Sequence, residues 1–136
     1  MRLVLDTSAA ANIVLGTAVG AQLSSLLEQA DLVMAPGLFH SEIGNTLWKS
    51  VRFGSLAQDA ALSLYDDAVA LVDEFVADEP LIIQAMTSAM RHGHPVYDLI
   101  FVTLAQRYGC SLLSTDQKLL ALAQRIDPAL CLVNHP

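Results

Sequence analysis

The sequence predicts a three-layer α/β/α domain around a central, mostly parallel sheet of four to five strands. Three observations carry this expectation. Short apolar runs without alternation recur along the chain: Leu3-Val4-Leu5, Leu32-Val33-Met34-Ala35, Ser111-Leu112-Leu113-Ser114 and Leu130-Cys131-Leu132-Val133. Such runs fit strands buried on both faces. Segments with helical periodicity separate them, and strands alternating with helices imply parallel pairing through crossovers. No repeat, low-complexity tract or linker divides the 136 residues, so residues 1–136 are expected to form one domain.

Composition narrows the function classes. Apolar residues make up 54% of the chain, enough to leave apolar surface for a partner. The apolar runs are far too short to span a bilayer, so no membrane association is expected. Arg2 and Asp6 interrupt what could pass for a signal peptide, which points to a cytoplasmic protein. Cys110 and Cys131 lack zinc spacing and read as reduced core residues. A net charge of −7 argues against broad nonspecific binding to nucleic acid, which needs a basic stripe. It leaves room for a nucleic-acid enzyme whose site is acidic and charged with metal.

The elements follow in order. Leu3-Val4-Leu5 ends abruptly at Asp6, and Thr7 and Ser8 start a short helix, Ser8 to Leu15, closed by Gly16. Val19 to Ala30 is a second helix, with Leu23, Leu26, Leu27 and Ala30 on one face. Strand two stops at Pro36-Gly37. The third helix, Leu38 to Phe53, carries an apolar stripe of Ile43, Leu47 and Val51. On a different face, Glu42, Asn45, Lys49 and Arg52 fall within roughly 80° of one another. That face is either solvated surface or part of a site, with Lys49 and Arg52 its candidate phosphate contacts.

A fourth helix spans Leu56 to Val72, and Val72 to Ala77 reads as strand three. Pro80 opens a fifth helix that reaches His92 and closes at Gly93. His94-Pro95-Val96-Tyr97 forms an extended entry to a sixth helix, Asp98 to Tyr108, apolar nearly all round and therefore buried. Thr115-Asp116 ends the next strand, a helix runs from Gln117 to Arg125, and Leu130 to Val133 is the last strand.

Four acids then occupy places that local structure alone does not require. Asp6 and Asp116 follow buried strands, while Glu42 and Asp98 stand near helix starts. In open parallel sheets, ligands bind beyond the carboxyl ends of strands. Singly, Asp6 and Asp116 also read as helix caps, and Asp98 as a favourable charge at a helix N-terminus. Together they imply a cluster in which each close pair repels by on the order of 4 kcal/mol at an effective dielectric near 20. Hard, oxygen-ligated Mg²⁺ or Mn²⁺ would offset that repulsion, since no Cys or His joins these positions. A metal held this way polarises a phosphate and activates a water, the chemistry of phosphodiester hydrolysis. Ser8 and Thr115 could hold Asp6 in place. His40, near Glu42, is the one histidine that could join them.

The stretches Leu3-Val4-Leu5-Asp6-Thr7-Ser8, Ser41-Glu42-Ile43-Gly44-Asn45-Thr46-Leu47, Tyr97-Asp98-Leu99-Ile100 and Leu113-Ser114-Thr115-Asp116-Gln117-Lys118-Leu119 resemble the PIN-domain ribonucleases. More narrowly, they are similar to the VapC-type toxins of bacterial toxin–antitoxin pairs. The four motifs come in family order and cover nearly the whole chain. The resemblance implies a PIN-like fold, an Mg²⁺- or Mn²⁺-dependent endoribonuclease and usually a homodimer. It assigns Asp6, Glu42, Asp98 and Asp116 as metal-site acids, with Thr115 and Ser8 in support.

Two other classes compete. A non-catalytic PIN-like module that only binds RNA or protein is opposed by the presence of all four acids. An aspartyl-phosphate phosphatase wants a second Asp two residues past the nucleophile, where this chain has Ser8. Surplus apolar surface and surplus negative charge also imply an inhibitory protein partner with an amphipathic helix and a basic side chain, and the resemblance implies that this partner is a cognate antitoxin. The second and third helices are the expected walls of its groove.

Overall fold

The computed structural model describes residues 1–132. Four strands, β1 (Arg2–Leu5), β2 (Leu32–Pro36), β3 (Glu74–Val76) and β4 (Ser111–Leu113), form an all-parallel sheet in the order β3-β2-β1-β4. β1 is central. Leu3 pairs with Val33 on one side and Ser111 on the other, and Leu3, Val4 and Leu5 are fully buried. The absence of alternation in that run therefore reflects burial on both faces.

Seven helices connect and cover the strands: α1 (Thr7–Val14), α2 (Ala18–Glu28), α3 (Leu38–Arg52), α4 (Gln58–Ala70), α5 (Ile82–His92), α6 (Val96–Tyr108) and α7 (Gln117–Ile126). α1 packs against α2, α3 and α4, while α6 lies on β1, β2 and β4 with α5 against it. Every residue of α6 from Leu99 to Ala105 is buried. Each large apolar side chain in that run contributes about 1.5–3 kcal/mol on leaving water. Gly20 lets α2 approach α1 closely, because a Cβ there would overlap the Asn12 carbonyl. Gly93, at φ 62°, makes the left-handed turn that reverses the chain between α5 and α6.

Three expectations need correction. α6 begins at Val96 with an extended Pro95 at its N-cap, so the entry is His94-Pro95 rather than His94 to Tyr97 and Asp98 lies inside the first turn. Proline's fixed φ suits the start of a helix, which explains the earlier onset. Pro80 opens a 3₁₀ turn, Glu79–Leu81, before α5. The expected last strand is also shorter. Pro128–Leu130 is a 3₁₀ turn capped by Asp127, whose side chain accepts from the Ala129 N–H, and only Cys131 bridges β4, at Leu112. Val133 lies outside the described residues. Cys110 and Cys131 are free thiols. Among the described residues, no single helix is long and apolar enough to cross a membrane.

Candidate active site

β1 delivers Asp6 to the carboxyl edge of the sheet, where its N–H donates to the Leu113 carbonyl of β4 (2.9 Å). The residue is 6% exposed. Asp6 occupies the N-cap position of α1, but its side chain caps nothing. Instead, Oδ2 accepts from Ser8 Oγ (2.6 Å) and from Ser114 Oγ (2.7 Å). Each hydroxyl is itself held by a backbone donor, Ser8 by the Thr115 N–H and Ser114 by the Asp116 N–H, both at 3.0 Å. Each hydroxyl accepts a backbone N–H and keeps its proton for donation to Asp6, with the two hydroxyls 3.1 Å apart. Burial pushes the Asp6 carboxyl above its ordinary range. The two serines and the Thr7 N–H pull the other way, and Asp116 adds repulsion.

Glu42 is half-buried on α3, and its Oε1 accepts from Thr7 Oγ1 (3.2 Å). Burial, then repulsion from Asp6, push its pKa up to about 7; Asp98 and Asp78 add smaller repulsions, and Thr7 opposes them. Asp98 is also raised, by burial first; His94 opposes the shift, and Asp6 and Asp116 reinforce it. His94 Nε2 stands 3.4 Å from Asp98 Oδ2. Its Nδ1 is 3.1 Å from the Pro95 carbonyl, which can only accept. Asp116 has a different occupation. It caps α7, with Oδ1 accepting from the Lys118 (3.0 Å) and Leu119 (3.2 Å) N–H groups.

All four acids line one open cavity of about 500 Å³, together with Ser8, Asn12, Asn45 and Lys49. Three of the acids are pushed toward their neutral forms, partly by one another. Such a site favours a cation. The donors are carboxylate and amide oxygens, which suit a hard divalent ion. Among the described residues, no three Asp, Glu, His or Cys side chains stand close enough to enclose an ion by themselves. Mg²⁺ does not require that, since it keeps several waters and takes one or two carboxylates. The donor set fits such an ion.

The sequence model of the PIN domain matches residues 3–125. The chain belongs to the PIN-domain family. It is 32% identical over 123 residues to Ribonuclease VapC3 of Pyrobaculum aerophilum, covering 88% of this chain and 92% of that one. Among solved structures, PAE2754 of Pyrobaculum aerophilum is similar in fold, with a TM-score of 0.73 and 23% identity over 90% of this chain and 79% of that one. A chain of the DNA-bound VapBC2 complex from Rickettsia felis is also similar, with a TM-score of 0.64 and 14% identity over 96% of both chains.

Within this PIN domain, the structure brings Ser8, Asn45 and Lys49 to the cavity but not Thr115 or Arg52. Thr115 meets Asn12 through its hydroxyl (3.4 Å) and Ser8 through its N–H, and Ser114 makes the hydroxyl contact with Asp6. Arg52 lies nearly a turn beyond Lys49 and rests over the Trp48 ring, 5.8 Å from its centroid. His40 is also elsewhere, near Tyr65 (3.1 Å to its hydroxyl) and with its ring tilted against Phe75, centroids 4.2 Å apart. Sequence reasoning missed Thr7, Asn12 and Ser114. Asn12 had a signal: four residues after Ser8 it shares a helix face with it, and its amide donates to the Ser8 carbonyl (2.9 Å). The apolar groove lies between α3 and α4, lined by Leu47, Trp48, Val51, Leu62 and Tyr65, one helix further along than expected.

Proposed function

We propose that this PIN domain is an endoribonuclease dependent on Mg²⁺ or Mn²⁺, the toxin of a toxin–antitoxin pair. One observation carries the reading. The central strand buries a carboxylate that caps no helix and is held by two hydroxyls, facing Glu42 and Asp98 across one cavity. Among Asp6, Glu42, Asp98 and Asp116, one or two would hold the metal directly and the others through its waters. When bound, the ion would polarise the scissile phosphate and lower the pKa of a water.

The chain's own groups do the positioning. Ser8 and Ser114 fix the Asp6 rotamer, and Thr7 fixes Glu42. In the metal-free chain the Glu42 carboxyl is pushed up to about 7, so a cation taken up there would displace a proton near neutrality. Lys49 at the cavity wall offers a cation to a phosphate, and Asn45 an amide. Family likeness to Ribonuclease VapC3 and to a VapBC complex supports RNA as substrate and an antitoxin as partner. An amphipathic antitoxin helix has an apolar groove available between α3 and α4. Exposed Ile83 and Met90 offer surface to a second copy in a homodimer.

The test is cleavage of single-stranded RNA by wild type and Asp6→Asn, with Mn²⁺ and with chelator. Metal-dependent cleavage that Asp6→Asn abolishes is the expected result. A folded chain that binds RNA but never cuts it, under any metal, would leave a non-catalytic module in its place.

A further inference from the structure

The seven Lys and Arg residues of this chain are unevenly placed. Two of them, Arg91 and Arg125, line a second cavity that shares no residue with the acidic one, and a third, Arg107, stands at its edge. Arg91, His92, Gln84, Gln106 and Arg125 line it, from α5, the end of α6 and the end of α7, around a volume of about 430 Å³. At its edge, Arg107 Nε donates to Gln84 Oε1 (3.0 Å), and Gln84 Nε2 donates to Gln106 Oε1 (3.4 Å). No Asp or Glu lines the cavity, although acids outnumber Lys and Arg 14 to 7 in the chain. Among the described residues, none of the three arginines is ion-paired.

Position and chemistry together identify the ligand class. Guanidinium forks and neutral amides recognise phosphate oxygens. No Phe, Tyr or Trp lines the cavity and His92 is its one ring, so guanidinium and amide contacts to the backbone outweigh stacking on bases. Its His92 end lies toward the acidic site: His92 ends α5 two residues before His94, whose Nε2 is 3.4 Å from Asp98 Oδ2. Gln106 and Arg125 lie further back along α6 and α7, roughly 12–14 Å from the acids at the helix starts. RNA approaching a chain of net charge −7 needs local cations beside the site it must enter. On α5, Ile83, Met86 and Met90 centre roughly 120° round the helix from the centre of the Gln84–Arg91 face. A partner covering those apolar side chains leaves the cavity open.

We propose that this cavity docks the phosphodiester backbone of single-stranded RNA and leads it to the acidic site, adding affinity without sequence preference. The role as substrate track rests on the ribonuclease reading. The docking itself is measured without cleavage. The experiment is binding of a fluorescent single-stranded RNA of about 20 nucleotides, in chelator, across a salt series. For Arg91→Gln/Arg125→Gln, affinity is expected to fall by about tenfold, and the slope of log K against log salt by about 1.4, or 0.7 for each lost contact.

Arg91→Lys/Arg125→Lys should restore the slope, because it keeps the charge. Gln106→Glu is an independent variant that leaves both arginines in place and is expected to weaken binding as well. Equal affinity and slope in wild type and the Gln variants would overturn the proposal. So would loss of polyglutamate binding without loss of RNA binding, which assigns the cavity to an acidic protein segment. If RNA binds as expected and no metal supports cleavage, the docking stands and the nuclease reading falls. If RNA is cut and the variants bind it like wild type, the reverse holds.

Discussion

β1 and β4 lie side by side, and each leads to an aspartate at a helix start, yet the two aspartates are put to different uses. Asp116 is a working cap: Oδ1 takes two N–H groups from the first turn of α7. Asp6 stands at the N-cap of α1 without capping it. The difference comes from two residues. In β1 the acid follows Leu5 directly, whereas in β4 Ser114 and Thr115 intervene after Leu113. Those two carry Asp116 past the sheet edge to its helix and leave Ser114, fully buried, beside Asp6. Burying a carboxylate is costly. One kept buried without a capping task, under two aimed hydroxyls, is the better candidate for chemistry, and β4 supplies part of its support.

The largest expected effect separates the two aspartates directly. Asp6→Asn is predicted to lower metal-dependent RNA cleavage by more than about 100-fold, and Asp116→Asn by about 10-fold, since one Asp116 oxygen is already engaged by the helix. Initial rates with Mn²⁺ measure both. Equal losses would mean that capping and catalysis share one carboxylate, and the distinction between the two strand ends would collapse.

Next in size is the support. Ser114→Ala removes a hydroxyl that donates to Asp6 and accepts from the Asp116 N–H. A loss of about 10–100-fold in metal affinity or rate is expected, as for groups that orient a metal ligand. Thr115→Ala should cost less than about 3-fold, because among the described residues the Thr115 hydroxyl meets only Asn12 and that contact is long, at 3.4 Å. Metal titration followed by cleavage rate decides between the two neighbours.

That pair also marks the limit of sequence reading. The strand Leu3-Val4-Leu5 and the all-round apolar α6 were legible, because burial on every side leaves a signature in composition alone. The gathering of four acids at one edge was legible from parallel topology, which sends strand ends and helix starts to the same side. Which of two adjacent hydroxyls faces Asp6 was not. It depends on where β4 stops pairing, and element ends are the least determined feature of a sequence. Pro128 and Asp127 likewise outweighed the apolar run at Leu130, since a local cap and a fixed φ favour a tight turn over one more short strand.

The metal-free protein should show the repulsion as a pH dependence. Glu42 has a folded pKa of about 7 against an ordinary value of 4.5, so folding favours its protonated form. Its relative contribution to stability is fully present below about pH 4.5, declines as pH rises, and is gone above about pH 7. Glu42→Gln removes that decline. At pH 7.5 in chelator the variant is expected to be more stable than wild type by about 1–2 kcal/mol, with allowance for the screening of a half-exposed carboxyl. Urea melts at pH 4.5 and 7.5 measure it. A wild type that gains stability over this range relative to Glu42→Gln would contradict the burial and repulsion assigned to the site.

The smallest effect isolates capping from charge. Asp116→Ala deletes the acceptor for the Lys118 and Leu119 N–H groups and should cost about 1 kcal/mol of stability. Asp116→Asn keeps a good cap while removing the charge, so its stability should stay within about 0.5 kcal/mol of wild type. At position 6 the same pair of substitutions has no cap to lose. Asp6→Asn relieves repulsion in the metal-free protein and should leave stability equal or higher. Asp6→Ala relieves it too but strands the Ser8 and Ser114 hydroxyls, one of them buried, at a cost of about 1 kcal/mol or more. The Ala-minus-Asn difference is thus about the same size at both positions and differs in origin. It is read from the helix at Asp116 and from the hydroxyls at Asp6. Repeating the melts in the Ser8→Ala/Ser114→Ala background separates them. The difference should vanish at position 6 and persist at position 116; its persistence at both would assign Asp6 a capping role after all.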